Sequence, residues 1–244
     1  METPKYRFLL KYPTRGRTEL FKSTFTKWLE MLSGKHDYEW VVTMDTDDHR
    51  MNNQAVKDWL DGQKNVWYCY GNNTSKISAI NANMENRNFD ILILISDDML
   101  PIVSGYDDII AEHMFKNFSD LSGCLHFNDG RVGSVLNTLS IMGKGLYDRF
   151  GYIYHPQYTS LWCDNEFSEV TKMWNKTVYI DQIIVKHEWT DATGQDKLHK
   201  HNESYYETDK TIFYRRQQAG FPREVVGPPL RRVGRVKDRR RRVR

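Results

Sequence analysis

The sequence lacks the features of a membrane-spanning, secreted or disulfide-stabilised protein. Its longest uninterrupted apolar run, Ile91–Ile95, is far shorter than the roughly 18 residues that a membrane-spanning helix needs. Its N-terminus has no basic segment followed by a long apolar one, so we expect no secretory signal. The three cysteines, Cys69, Cys124 and Cys163, form no Cys-x-x-Cys pair, so neither a zinc knuckle nor a disulfide framework is predicted. We therefore expect a cytoplasmic protein with no transmembrane segment.

The chain also lacks a uniform charge of one sign. Nine of its 35 Lys and Arg residues, but one of its 32 Asp and Glu residues, lie within residues 231–244. Residues 1–230 therefore carry 26 basic and 31 acidic side chains, and the net positive charge comes from the C-terminal segment. This distribution excludes a uniformly basic nucleic-acid-binding surface and indicates a basic appendage that is too charged to fold alone.

What the sequence does contain is the hydrophobic pattern of one α/β domain. With 244 residues, 39% of them hydrophobic, the chain can bury a sizeable core. In the first half, the predicted strands are residues 6–10, Tyr38–Met44, Val66–Tyr70 and Phe89–Ile95, and the predicted helices are Thr18–Leu32 and Ser75–Arg87. Thr18 is the expected cap of the first helix. Alternation of strands and helices is typical of a parallel sheet.

The second half has a more mixed pattern. The predicted helices are Asp107–Phe118, Glu166–Trp174 and Thr208–Ala219, and the predicted strands are Leu121–Phe127, Ser134–Met142 and Thr177–Val185. We expect antiparallel strands among the latter, and no internal repeat is present.

Each strand of the first half ends in polar residues. These ends are Pro13-Thr14-Arg15, Asp45 to Asp48, Gly71 to Asn73, and Ser96-Asp97-Asp98. Because ligands bind outside the carboxyl ends of the strands in open parallel sheets, the four ends are expected to meet at one crevice.

Two of these polar residues predict a metal site. Asp97 and Asp98 follow the most hydrophobic strand, where paired carboxylates are costly unless a cation neutralises them. Mg²⁺ and Mn²⁺ prefer such oxygen ligands and often share them with a diphosphate. His187, just past a late strand, is a further candidate ligand, since imidazole suits Mn²⁺. The alternatives are that the Asp pair caps the next segment or starts a turn, and that the histidine is structural.

The order of these segments resembles the GT-A glycosyltransferases, particularly family 2-like members, over about residues 5–220. The resemblance rests on Lys11–Arg17, Val41–Asp45, Asn72–Lys76 with Ala79 and Asn81, Leu94–Pro101, Trp162–Phe167 and Lys186–Trp189. It implies a GT-A (Rossmann-like), mostly parallel sheet flanked by helices, with a smaller mixed or antiparallel acceptor part. It also implies one domain over 1–222, with a nucleotide-binding half at about 1–101, an acceptor and metal half at about 102–222, and a basic disordered tail over 223–244.

The resemblance further implies a set of site residues. Donor binding is expected from Pro13, Thr14, Arg15, Arg17, Asp45, Asn72, Lys76, Asn81, Ser96 and Asp97. Asp97, Asp98 and His187 would hold Mn²⁺ or Mg²⁺, although the Ser-Asp-Asp sequence departs from the usual Asp-x-Asp and leaves open which aspartate binds the ion. Asp164 is the expected general base and Glu166 the second choice; the competing interpretation makes Asp164 a helix cap. An inverting transfer from a UDP-sugar is the expectation, and a retaining mechanism stays open.

The acceptor is less well defined by the sequence. Aromatic residues that suit sugar rings, but equally a core, are Phe127, Tyr152, Tyr154, His155, Tyr158 and Trp162. A glycan, a lipid-linked glycan and modified DNA are all compatible acceptors. Residues 231–244 would bind anionic lipid or nucleic acid, or are an incidental extension. The non-enzymatic alternative is a module that binds a nucleotide sugar or a nucleic acid without catalysis.

Overall fold

The computed structural model describes residues 3–188 and 196–221. Its strands are β1 (Arg7–Pro13), β2 (Asp37–Asp45), β3 (Val66–Gly71), β4 (Ile91–Leu94), β5 (Met99–Pro101), β6 (Cys124–Phe127), β7 (Ile141–Gly143), β8 (Thr177–Ile180) and β9 (Val185–His187). Its helices are α1 (Thr18–Glu30), α2 (Gln54–Asp61), α3 (Lys76–Asn81), α4 (Tyr106–Asn117), α5 (Lys144–Phe150), α6 (Cys163–Met173), α7 (Lys197–Glu203) and α8 (Tyr206–Gln218). No helix in these two ranges is long and apolar enough to cross a bilayer.

The main sheet has seven strands in the order β3-β2-β1-β4-β7-β6-β8. Strand β1 pairs in parallel with β2 and β4, and β2 pairs in parallel with β3. Strand β7 is antiparallel to both β4 and β6, whereas β8 is parallel to β6. The predicted parallel first half and mixed second half are therefore confirmed.

Strands β5 and β9 form a separate two-stranded antiparallel sheet. Met99 pairs with His187, and Pro101 pairs with Val185. The Glu188 N–H donates to the Asp98 carbonyl at 2.7 Å and continues this ladder past the strand ends. Residues close to 98 and 187, far apart in sequence, are thereby held side by side. The single predicted strand Thr177–Val185 was wrong, because the chain leaves the main sheet after β8 and joins β5 through β9.

The main sheet is covered on both faces. Phe8 and Leu10 of β1 belong to an apolar cluster with α1 and α4, whereas Leu9 belongs to a second cluster with α3, α5 and α6. Alternate side chains of a strand point to opposite faces, so a strand in the middle of a covered sheet must be apolar throughout. This requirement explains the nearly continuous apolar sequence of β1 and β4.

Lys11 is the exception to this pattern, since it is a fully buried lysine on β1. Its ammonium group donates to the Thr43 hydroxyl and, at 2.8 Å, to the Ala82 carbonyl. Burial, assisted by the nearby charge of Arg87, lowers the pKa of Lys11 to about 7. The lysine ties β1 and β2 to the segment that follows α3.

This buried lysine predicts a pH dependence of stability. Because its pKa is lower in the folded state than in the unfolded state, the unfolded chain binds more protons above pH 7, and stability should rise with pH there. We expect Lys11 to contribute a rise of about 3 kcal/mol in unfolding free energy between pH 7 and 9.5. Urea unfolding across this range should show that Lys11→Met loses the rise, whereas Lys27→Met, at an exposed position of α1, keeps it. Equal pH slopes in all three proteins would contradict the prediction.

Three other local predictions were corrected by the structure. Helix α1 begins at Thr18 itself, with Arg17 at the cap position and no side-chain cap, because the Thr18 hydroxyl donates to the Arg50 carbonyl at 2.7 Å. The helix predicted over Ser75–Arg87 ends at Asn81, since Asn83 adopts a left-handed backbone with φ of 65° that interrupts it. The predicted strand Ser134–Met142 is mostly irregular and contributes only the start of β7.

Helix α2 was not predicted. It is short, and its start is marked by Asn53, whose side-chain oxygen accepts the Val56 N–H at 3.0 Å. An asparagine cap ahead of an amphipathic segment is a local signal that could have found it.

Candidate active site

The polar strand ends of the first half do converge. The guanidinium of Arg15, after β1, donates to Asp45 Oδ2 at the end of β2 over 2.6 Å. Asn73, after β3, donates its side-chain N–H to Asp45 Oδ1 at 2.7 Å. Asn72 accepts a hydrogen bond from the Thr46 hydroxyl. The strand ends predicted to meet are therefore joined, with Asp45 held between Arg15 and Asn73.

The loop after β1 is held against the loop after β2. Arg15 also forms a bidentate salt bridge with Asp47. Its Nη1 and Nη2 donate to Asp47 Oδ1 and Oδ2 at 2.7 and 3.0 Å, and this contact lowers the pKa of Asp47. The Gly16 N–H donates to Asp48 Oδ2 at 2.6 Å. Pro13 is the last residue of β1 and aligns with Thr43 of β2. These contacts fix the loop after β1 against the loop after β2.

Asp97 is buried and satisfied by the protein itself. The Tyr12 hydroxyl donates to its Oδ1 at 2.6 Å, Thr14 Oγ1 lies 3.4 Å from the same oxygen, and Arg17 Nη1 lies 3.5 Å from Oδ2. Burial raises the pKa of Asp97 to about 6, against the opposing effects of Tyr12 and Arg17. Its carboxylate therefore holds the end of β1 and the loop that follows it in place, through Tyr12, Thr14 and Arg17.

Arg17 links this network to the C-terminal part of the chain. Its Nε and Nη2 donate to the two carboxylate oxygens of Asp196 at 2.8 and 3.0 Å. Asp196 also caps α7 by accepting the His199 N–H at 2.7 Å. The guanidinium thus lies between Asp97 and Asp196, and the role of Asp196 was not predicted from the sequence.

Asp98 and His187 face each other across the small sheet. Asp98 Oδ2 lies 3.5 Å from His187 Nε2, and Asp98 Oδ1 accepts the Ser96 hydroxyl. Although burial favours the neutral acid, the contacts with His187 and Ser96 lower the pKa of Asp98 to about 2. Burial likewise disfavours a charged imidazole, yet the adjacent Asp129 and Asp98 raise the pKa of His187 to about 9. Without a bound ion, Asp98 is therefore ionised at neutral pH and His187 carries the positive charge of the pair.

The Asp98–His187 pair fits a divalent cation. Two ligand atoms each about 2.1 Å from one ion lie about 3.4 Å apart at a tetrahedral angle and about 3.0 Å apart at a right angle. The observed 3.5 Å between Oδ2 and Nε2 is close to these values. Within residues 3–188 and 196–221 no three His, Cys, Asp or Glu side chains form a metal cage. Mg²⁺ and Mn²⁺ commonly take one or two protein ligands and complete the shell with water and substrate phosphates.

Asp129 lies behind His187 and was missed by the sequence analysis. Its Oδ2 is 3.5 Å from His187 Nδ1, and its carbonyl oxygen accepts the His187 N–H at 2.9 Å. The residue stands after β6, in a segment with no recognisable motif. An Asn-Asp-Gly turn was the one local signal available.

Asp164 lies in the first turn of α6, close to the charges of Lys76 and His187. Burial raises the pKa of Asp164, while Lys76 and His187 oppose that rise. Lys76 itself is exposed at the start of α3. The helix cap is Trp162, not Asp164, and its left-handed backbone (φ 61°) is unusual for a bulky residue. The interpretation of Asp164 as a helix cap is therefore wrong.

Glu166 is committed to a structural ion pair. Arg216 of α8 donates to both of its oxygens, at 2.6 and 2.8 Å, and the Tyr158 hydroxyl donates to Oε2 at 2.7 Å. The Glu166 side chain is 4% exposed and that of Arg216 is 13% exposed. Its oxygens bind α8 to α6, so the geometry favours Asp164 over Glu166 as the proton acceptor.

This assignment predicts a stability effect. In Glu166→Gln, Arg216 keeps its charge but loses its buried partner, so we expect a loss of about 3 kcal/mol in unfolding free energy, measured by urea denaturation. The matched control is Glu169→Gln, an exposed acid of the same helix, for which a change within about 0.5 kcal/mol is expected. A fully stable Glu166→Gln protein that fails only in catalysis would return the base assignment to Glu166.

The remaining predicted site residues divide between the core and the surface. Asn81 accepts the N–H groups of Ile153 and Tyr154 and donates to the Tyr154 carbonyl, so its amide joins α3 to the second half of the chain. Of the acceptor candidates, Phe127, Tyr154 and Tyr158 are buried, whereas Tyr152, His155 and Trp162 are partly exposed.

The predictions that concern residues 222–244 and Trp189 lie outside the described residues. They include the domain boundary at residue 222 and the basic tail.

Comparison of sequences gives no relative. No known sequence family and no curated protein matches the chain. Comparison of structures, in contrast, finds many solved structures with a similar fold. The mannosyltransferase PcManGT from Pyrobaculum calidifontis, in complex with GDP-Man and Mn²⁺, superimposes with a TM-score of 0.63 at 12% identity, over 91% of this chain and 67% of that one. The chain has the GT-A fold.

Two further structures share this GT-A fold. Staphylococcus aureus TarS with UDP-GlcNAc gives a TM-score of 0.58 at 12% identity, over 74% of this chain and 58% of that chain. Drosophila β-1,4-galactosyltransferase 7, with manganese, UDP-Gal and xylobiose, gives a TM-score of 0.53 at 12% identity, over 79% of this chain and 75% of that chain. The joined strand ends and the Asp98–His187 pair are thus features of a chain with the GT-A fold that is distant in sequence from these structures.

Proposed function

We propose that this protein is a divalent-metal-dependent glycosyltransferase that moves a sugar from a nucleoside diphosphate sugar to an acceptor hydroxyl with inversion. The observation that carries the proposal is the Asp98–His187 pair, 3.5 Å apart, with Asp98 directly after Asp97, which contacts the loop that follows β1. The bound ligands of the structural neighbours, GDP-Man, UDP-GlcNAc and UDP-Gal, support a nucleotide-sugar donor.

The donor nucleoside would bind at the ends of β1 to β3. Asp45 is oriented there by Arg15 and Asn73, and a carboxylate so placed can accept the N–H groups of uracil or guanine. Asn72 and Thr14 line the same edge of the sheet. Of the two nucleosides, uridine is the one that the resemblance implies.

The donor diphosphate would lie between the first loop and the small sheet. Asp98 and His187 would hold Mn²⁺ or Mg²⁺, which when bound acts as a Lewis acid and stabilises the negative charge of the departing diphosphate. Lys76, exposed next to Asp98 and Asp164, would add a positive charge. Ser96 orients Asp98, and Asp97 supports the loop through Tyr12 and Arg17.

Asp164 would accept the proton of the acceptor hydroxyl. As that oxygen forms its bond to the anomeric carbon, the bond from this carbon to the diphosphate oxygen breaks, and its electron pair leaves with the nucleoside diphosphate. Attack from the face opposite the leaving group inverts the anomeric configuration. A raised pKa suits a general base, because the carboxylate then binds the proton more strongly.

The acceptor would approach past Trp162, next to Asp164 at the start of α6. Trp162 contacts Tyr206 and Tyr214 of α8, whose exposed fractions are 41% and 46%. Partly exposed aromatic rings of this kind suit the apolar faces of sugars. Aromatic rings stack on nucleobases as well as on sugars, so the cluster is compatible with a glycan, a lipid-linked glycan or a modified base, and its α8 members were not foreseen from the sequence.

A thermal-shift panel tests this function. The full chain is mixed with UDP-, GDP-, CDP- and dTDP-sugars, each with and without Mn²⁺. A donor present at 100 times its Kd should stabilise the fold by about 2.7 kcal/mol, and we expect one class to do so only with the metal. Slow Mn²⁺-dependent hydrolysis of the same donor should accompany binding. Stabilisation without hydrolysis in any condition would favour a non-catalytic binding module, and no stabilisation by any donor would contradict the proposal.

A further inference from the structure

Asp129 is a buried, extensively hydrogen-bonded acid that the proposed reaction does not use. It is 4% exposed, and its Oδ1 accepts three backbone N–H groups, from Arg131, Val132 and Gly133, at 2.9, 2.8 and 3.2 Å. Its Oδ2 accepts the Thr138 hydroxyl at 2.8 Å. These four hydrogen bonds hold the carboxylate charge in a fixed position.

This fixed charge faces His187 from the side opposite Asp98. His187 Nδ1 lies 3.5 Å from Asp129 Oδ2, and His187 Nε2 lies 3.5 Å from Asp98 Oδ2. Nδ1 is buried, and within the described residues it has no partner at ordinary hydrogen-bond distance. A buried ring N–H needs an acceptor, and Asp129 Oδ2, 3.5 Å away, is the carboxylate oxygen that faces Nδ1. The Asp129 carbonyl also accepts the His187 N–H at 2.9 Å, so the same residue holds both the backbone and the ring.

We infer that Asp129 is a positioning residue that keeps the proton of His187 on Nδ1 and leaves the Nε2 lone pair for a divalent cation. Once a cation displaces the Nε2 proton, the imidazole carries one proton, and a carboxylate beside Nδ1 retains it there, because a carboxylate only accepts hydrogen bonds. Hydrogen bonding of the far nitrogen to a carboxylate also orients a metal-bound histidine and makes it a stronger ligand. The inference rests on the proposed function, since it assumes that His187 binds the metal.

The substitution that separates orientation from folding is Asp129→Asn. Asparagine keeps an oxygen for the three N–H groups of the 131–133 turn, but it places an N–H₂ group where Oδ2 stood. That group would donate to Nδ1 and move the ring proton to Nε2, which removes the lone pair that a metal needs. A matched control is Asp181→Asn, an exposed acid that pairs with Asn128, next to Asp129 in sequence.

The experiment measures Mn²⁺ binding to the full chain by electron paramagnetic resonance, without donor or acceptor. Loss of an outer-shell partner typically weakens metal binding about 10- to 100-fold, so we expect Asp129→Asn to raise the Kd for Mn²⁺ by that factor and Asp181→Asn to leave it within about twofold. Electron spin echo modulation from a metal-bound imidazole nitrogen should be clear in the wild type, weak or absent in Asp129→Asn, and absent in His187→Gln. The thermal unfolding temperature of each metal-free variant shows separately whether the 131–133 turn, and with it the fold, is still stable.

The outcomes separate the inference from the proposed function. If Asp129→Asn unfolds at a lower temperature but keeps the wild-type Kd and nitrogen signal, Asp129 is only structural and the inference is wrong. If the wild type binds Mn²⁺ without a nitrogen signal from His187, the metal site itself is wrong, and the inference falls with it. A normal wild-type signal that disappears in Asp129→Asn supports both.

Discussion

Asp164→Asn should reduce kcat for sugar transfer by about 10²- to 10⁴-fold, the usual contribution of a positioned general base. Asparagine has nearly the same shape, so the first turn of α6 and the Asn165 N–H contact at 3.0 Å should persist. The Kd for the donor should stay near the wild-type value, because the base acts on the acceptor hydroxyl and not on the nucleotide. Steady-state transfer assays and calorimetric titration with the donor give the two quantities.

Two controls make this result specific. Glu169→Gln changes an exposed acid of the same helix and should transfer sugar at the wild-type rate. Slow donor hydrolysis should survive in Asp164→Asn better than transfer does, since water is the more weakly positioned acceptor. Transfer at a near wild-type rate in Asp164→Asn would show that another group takes the proton.

His187→Gln should weaken Mn²⁺ binding by more than about 100-fold, a larger effect than the 10- to 100-fold typical of an outer-shell partner. Glutamine cannot reproduce the imidazole nitrogen that lies 3.5 Å from Asp98 Oδ2. Because the diphosphate then departs without its Lewis acid, kcat/KM should fall by at least the same factor at limiting Mn²⁺. The measurements are Mn²⁺ titration and transfer rates over a range of metal concentrations.

A double-mutant cycle sharpens this test. If Asp98 and His187 hold one ion, the loss of Mn²⁺ binding free energy in the double variant Asp98→Asn, His187→Gln should be far smaller than the sum of the losses in the two single variants. His201→Gln is the matched control, because it removes an exposed imidazole on α7. Additive losses in the cycle, or rates in His187→Gln that do not respond to added Mn²⁺, would indicate that the two residues do not share a cation.

The candidate site could be predicted in part from the sequence, because some of the patterns that mark it involve only neighbouring residues. The polar residues after β1 to β4 follow apolar segments directly, so their convergence followed from the parallel arrangement alone. Asp98, His187 and Asp164 were picked out by residue type and by resemblance. That Asp98 rather than Asp97 lies beside His187 could not be predicted, because both residues stand in the turn between β4 and β5 and only packing decides which of them accepts the Tyr12 hydroxyl.

The sequence by itself determined the class of fold, the order β1, α1, β2, β3, α3, β4 in the first half, and the convergence of polar residues at the strand ends. Hydrophobic periodicity is a property of neighbouring residues, and it suffices for these features. Only the tertiary structure decided the β5–β9 pairing, the contact of Asp129 with His187 and the ion pair between Glu166 and Arg216. Each of these joins residues 50 or more positions apart, or an irregular loop to a strand, and no local pattern encodes which distant partner will satisfy a buried charge.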